Sequence, residues 1–161
     1  MSVEVEVVDQ TGLDLAPGAI ADLVVAVLEA EGASGSLTVA FVDEQAIREL
    51  NARYRGLPES TDVLSFRYAD EPAEWAGNPA IELGDVVLCP AVVRRYAIEE
   101  AVSVSRQFGW TLIHGVLHLV GYDHEKDHGE MREREQQLLN LFDRFVDHLP
   151  SLSPRSRETG R

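Results

Sequence analysis

Apolar and polar residues alternate at the start of the chain, Val3, Val5 and Val7 against Glu4 and Glu6, which predicts a strand with one wet face. From residue 17 the period lengthens. Ile20, Leu23, Val24, Val27 and Leu28 share one helical face, opened by Pro17 and closed before Gly32, and predict a helix over 17–31. Residues 32–35 predict a turn and Leu37 to Val42 a second strand. Asp43 is an N-cap for a helix carried by Ala46, Ile47 and Leu50 to about Tyr54, where Gly56-Leu57-Pro58 breaks it. Val63, Leu64 and Phe66 predict a short strand, and Ala69 to Pro79, acidic and aperiodic, a mobile loop. Leu83 to Cys89 is largely apolar, as a central strand would be. Pro90 opens a helix to about Val104, and the most apolar helix follows. After a turn at 123–128 comes a last helix with apolar positions Met131, Leu138, Leu139, Leu141, Phe142 and Val146.

This order predicts an α+β fold: a single mixed four-stranded sheet packed with about five helices, the most apolar of them central. Residues 1–149 are expected to form one catalytic domain. The stretch from Pro150, S-L-S-P-R-S-R-E-T-G-R, has little to bury and predicts a disordered tail over 150–161. At 161 residues and 45% hydrophobic, the chain can bury a core without covalent staples.

Charge and cysteine usage narrow the classes. Against 28 acidic residues stand 14 basic ones, a net charge of −14, which argues against coating nucleic acid through a general positive field. Local phosphate recognition through a basic groove or a bound cation stays open. Cys89 is the lone cysteine, which excludes an internal disulfide and suits a reducing cytoplasm. The acidic, alternating N-terminus is neither signal nor transit peptide. No apolar run approaches the ~20 residues of a membrane span, so no membrane association is expected.

The chemistry concentrates in Thr111 to Glu125. His114 and His118 lie four apart on one helix face, one turn above the other. Gly121 ends the helix and lets the chain double back, delivering His124 to the same place. Three imidazoles around one point hold one divalent ion, and in tetrahedral zinc they leave a fourth position open, the mark of a catalytic site. Such an ion lowers the pKa of bound water and polarises a phosphoryl or carbonyl oxygen. Imidazoles also accept nickel, copper and iron.

Set beside the metzincin pattern H-E-x-x-H-x-x-G-x-x-H, the chain matches at His114, His118, Gly121 and His124 and departs at Gly115, where the proteases carry their general base. The ligand set is kept and the proteolytic base is missing. Asp123 and Glu125 flank the third histidine and read as solvated or as acceptors for an imidazole N–H. Arg55 stands at a helix end before a break, where it could aim into a cleft or satisfy carbonyls of its own helix. Ser60-Thr61-Asp62 reads as turn and strand-entry chemistry. Cys89 and Trp110 read as core, and His128, His148 and the Arg94-Arg95 pair as wet surface.

These stretches resemble the YbeY family of bacterial rRNA-maturation endoribonucleases. The resemblance is carried by H-G-V-L-H-L-V-G-Y-D-H at 114 to 124, Y-R-G at 54 to 56, T-D-V-L-S-F at 61 to 66 and G-D-V-V-L-C-P at 84 to 90. It implies a zinc ion on His114, His118 and His124 and a catalytic role for Arg55. It further implies cleavage of single-stranded RNA in 16S rRNA 3′-end maturation and ribosome quality control, with ribosomal partners. Arg67, Glu59-Ser60 and the acidic segment at 69 to 82 depart from the family pattern. Two other readings compete: a peptidase-like metal hydrolase that borrows its base from outside the motif, and a non-enzymatic ribosome-associated protein whose zinc is structural.

Overall fold

The structure is a computed structural model that describes residues 3–13, 15–68 and 81–151. Its strands are β1 (Val3–Asp9), β2 (Gly35–Phe41), β3 (Val63–Arg67) and β4 (Glu82–Leu88). Its helices are α1 (Pro17–Ala30), α2 (Glu44–Arg55), α3 (Pro90–Glu100), α4 (Val104–Leu119), α5 (Glu130–Leu141) and α6 (Asp143–Asp147). The strands form one sheet in the order β1-β2-β4-β3. β1 and β4 run parallel to β2, while β3 runs antiparallel to β4 and forms an edge. The expected mixed four-stranded sheet is therefore present.

Alternation along the strands sorts the core onto two faces. Leu37, Val39, Phe41, Val86 and Leu88 meet α1, α4 and α5, and this is the larger cluster. On the other face Val42, Leu64, Val87 and Cys89 pack with Ile47 of α2 and Val92 of α3. The histidine helix α4 is central, as its composition predicts. Phe108, Leu112, Ile113, Val116, Leu117 and Leu119 are all 0% exposed, each burial contributing about 1.5–3 kcal/mol before entropy is counted. No helix among the described residues is long and apolar enough to cross a membrane.

Two boundaries differ from the sequence reading. Residue 104 does not end α3; it begins α4. Ala101 takes a left-handed conformation at φ 58° and closes α3 at Glu100, and the Ser103 side chain then caps α4 by accepting the Arg106 N–H at 3.1 Å. The last predicted helix is divided at Phe142, so six helices stand among the described residues where about five were expected. Leu141, counted as an apolar face position, is 64% exposed beside that break. The loop expected over Ala69 to Pro79 and the tail beyond residue 151 fall outside the described residues.

Candidate metal centre and cleft

α4 ends in a reversal whose backbone bonds explain the glycine. Gly121, at φ 106°, donates its N–H to the His118 carbonyl at 3.2 Å, and the Tyr122 N–H reaches the Leu117 carbonyl at 3.1 Å. This pair of bonds is a Schellman closure, which needs positive φ at the residue after the cap. The turn is tied down from two sides. Tyr122 donates its hydroxyl to Glu31 at 2.9 Å, and Arg134 holds the other Glu31 oxygen at 2.7 Å.

The reversal brings the three histidines together. One ring nitrogen from each of His114, His118 and His124 lies within 4.8 Å of the others. His118 Nδ1 stands 3.0 Å from the Tyr122 carbonyl. A carbonyl oxygen only accepts, so Nδ1 carries the proton and Nε2 keeps its lone pair. His114 Nδ1 meets the Glu135 carboxylate at 2.5 Å, with the same consequence. Burial, followed by the neighbouring His114 and His124, pushes His118 below its ordinary pKa, which favours the neutral, ligating form. The donor chemistry fits a divalent ion, and these three residues could hold one.

Glu135, which the sequence reading does not single out, is the acid that meets His114. It is 2% exposed, and its second oxygen accepts the Trp110 indole N–H at 3.0 Å. Trp110 in turn stacks on the His114 ring with centroids 5.1 Å apart and planes 27° apart. Trp110 is thus more than core filling. The signal was present: Met131, Glu135, Leu138 and Leu139 share one helical face, and an acid at a core position of that stripe needs a buried partner.

Gly115 occupies the position of the missing protease base for a steric reason. A Cβ there would lie 2.6 Å from a methyl of Val86 and 3.1 Å from one of Val63. Its carbonyl accepts the Ser65 hydroxyl at 2.9 Å. The absent side chain lets α4 lie directly on β3 and β4, and no carboxylate fits there.

The histidines open onto a cleft of about 710 Å³ bounded by edge strand β3 and the 121–126 turn. Arg55 lines it, together with Arg67, Lys126 and Asp62. Arg55 is exposed and makes no side-chain hydrogen bond or ion pair among the described residues, so it does not cap its own helix. Gly56, at φ 72°, ends α2, and Asn51 clamps the following loop by donating to the Glu59 carbonyl at 2.9 Å.

Asp62 does more than enter a strand. Its backbone carbonyl accepts the Cys89 N–H at 2.9 Å, while its half-buried carboxyl faces Thr111 at 3.4 Å. Desolvation pushes that carboxyl above its ordinary pKa, against a smaller opposite pull from His114. Asp123 accepts the Glu125 N–H at 3.0 Å and so builds the turn that presents His124; no hydrogen bond joins it to an imidazole. Cys89 is buried, its thiol pushed up by desolvation, and stands outside the ligand cluster. His128 and His148 are exposed, and Arg95 is engaged by Glu44 at 2.9 Å.

The solution structure of a Thermotoga maritima protein superposes with a TM-score of 0.63 at 24% identity, covering 92% of this chain and 95% of that one, which shows a shared fold. A Synechococcus protein named Endoribonuclease YbeY is 40% identical over 106 residues, 65% of this chain and 64% of its own length. A Pseudomonas putida protein of the same name is 44% identical over 114 residues, 70% of this chain and 71% of its own. The chain thus spans just under two thirds of the Synechococcus protein. The model of the Endoribonuclease YbeY family matches residues 8–143, from the end of β1 through the other three strands, the Arg55 loop and all three histidines, and the chain belongs to that family.

Proposed function

We propose that the cleft is the active site of a zinc-dependent endoribonuclease that cuts single-stranded RNA in the cytoplasm. Its physiological substrate on this reading is the 3′ end of 16S rRNA, cut during maturation and ribosome quality control with ribosomal partners. The observation that carries the proposal is the convergence of three imidazole nitrogens, within 4.8 Å of one another, on a cleft that Arg55 also lines. The names of the relatives support the same reaction class.

His114, His118 and His124 hold the ion. When bound, it supplies Lewis acidity and a double positive charge beside the scissile phosphodiester. Arg55 grips a non-bridging phosphate oxygen through its guanidinium fork and stabilises charge that builds up on it in the transition state. Arg67 and Lys126 orient the strand through flanking phosphates. Asp62, which lines the cleft, takes the proton of the attacking hydroxyl or water as its oxygen bonds to phosphorus, and the departing ribose oxygen takes a proton from solvent as its bond to phosphorus breaks. Glu135 keeps the His114 ring in the ligating tautomer.

The peptidase alternative loses support at Gly115, where a glutamate base has no room. Single-stranded RNA and unstructured peptide panels, each with and without chelator, test the proposal. Chelator-sensitive cleavage of RNA alone is the expected result. Cleavage of peptide alone would overturn it in favour of the peptidase, and turnover of neither substrate in favour of a structural metal.

A further inference from the structure

We propose that a second groove, running beside α4 from the metal cleft, is a nucleotide subsite that seats another part of the same RNA strand. The inference rests on the nuclease reading above and specifies how much substrate the enzyme grips. The groove, about 560 Å³, lies among α3, α4 and α5, with Tyr96, Arg106, Trp110, Arg132 and Gln136 among its walls. Asp62 lines both it and the metal cleft, so the two are neighbours across that residue. Trp110, in the wall of the groove, stacks on His114, which lines the metal cleft.

The chemistry of the walls selects the occupant. Arg106 on α4 and Arg132 on α5 make no side-chain hydrogen bond or ion pair among the described residues. Arg95 and Arg134, by contrast, are engaged by Glu44 and Glu31. Two unengaged guanidinium groups facing one groove suit a phosphate, which each can bind bidentately. Tyr96 and Trp110 offer aromatic surface for a base, a contact that tolerates any sequence. Gln136 carries an amide that can donate to or accept from a base edge. Asp62, Glu99 and Glu100 also line the groove and oppose a polyanion. The site therefore suits one phosphate clamped between the arginines and its attached nucleotide, not a duplex.

Length sets the substrate requirement. Twelve residues separate Arg106 from His118 along α4, roughly 18 Å at the helical rise. A dinucleotide occupies the metal cleft alone, whereas an oligomer of several nucleotides reaches both. Affinity should rise with length until the groove is filled.

The test compares binding of 2′-O-methyl dinucleotide and octanucleotide probes to the metal-loaded full chain by fluorescence anisotropy. Wild type is set beside the Arg106→Gln/Arg132→Gln double variant, whose substitutions fall on exposed side chains. The expected result is about tenfold weaker octanucleotide binding in the variant with a shallower salt dependence, and unchanged dinucleotide binding. Cleavage of a long RNA should show the loss in KM with kcat retained. Equal octanucleotide affinity in the two proteins, with wild type binding and cutting RNA normally, would overturn the subsite while leaving the nuclease reading intact. Failure of wild type to bind or cut any single-stranded RNA would overturn both.

Discussion

The Glu135 carboxylate lies 2.5 Å from His114 Nδ1 while its other oxygen accepts the Trp110 indole N–H at 3.0 Å, so one buried acid fixes a metal ligand and the ring stacked on it. Glu135→Gln keeps the shape but replaces the carboxylate that meets His114 Nδ1 with an amide. Its metal affinity should fall by about 10- to 100-fold, read by competition with a chelator of known affinity. Glu135→Ala should in addition cost about 1–3 kcal/mol in the metal-free protein, because it strands two donors next to the core. Wild-type metal affinity in Glu135→Gln would show that the contact does not act on the ligand.

At Gly115 the steric account makes a separate prediction. Gly115→Ala places a methyl carbon 2.6 Å from Val86 on a packed sheet face. Urea unfolding should show a loss of about 1–3 kcal/mol, the usual cost of overpacking. Gly115→Glu, which writes the metzincin motif into the chain, should fail to fold stably and should gain no peptidase activity. A stable Gly115→Glu protein that cuts peptides would show instead that the position was free to evolve.

Asp62 yields a pH dependence with a definite sign. Its pKa is raised above the ordinary value of 3.8, chiefly by desolvation, so the folded chain holds that proton more tightly than the unfolded chain. Its favourable contribution is complete below the ordinary value and is lost as pH rises through the folded pKa. In chelator-treated protein Asp62→Asn should therefore raise Tm at about pH 7 relative to wild type, and the gain should shrink towards about pH 3.5. A Tm difference independent of pH would mean that desolvation of the charged form is not what Asp62 costs.

Arg55 stands in the cleft without an intramolecular partner among the described residues. Arg55→Ala should leave stability within about 0.5 kcal/mol of wild type and metal content unchanged. It should lower kcat on single-stranded RNA by roughly 10²- to 10³-fold, the scale seen when a donor to developing charge is removed. Unaltered cleavage by the folded, metal-loaded variant would remove Arg55 from the chemistry.

Much of this architecture is legible in the chain because period and punctuation agree there. Val3, Val5 and Val7, the Pro17 and Gly32 limits of α1, and the Asp43 cap of α2 each point one way locally, and the sheet follows. The histidine cluster is legible because a helix fixes the spacing of His114 and His118, and Gly121 announces the reversal. What stayed hidden depends on distance in sequence. Glu135 reaches His114 only once α5 folds against α4, and Asp62 acquires its desolvated setting from Thr111 on another element. The end of α3 was misread because Ala101, an ordinary helix former, takes the left-handed conformation there. Phe142 was read as a continuing apolar position, whereas the backbone leaves the helix at that residue.

Whether one ion sits on the three converging imidazoles is read most directly from the metal content per chain of protein purified without added metal, beside folded His118→Ala prepared identically. Near one equivalent of zinc in wild type, lost in His118→Ala with its circular dichroism preserved, is the predicted result. Metal absent from both proteins, or retained in full by the variant, would contradict it.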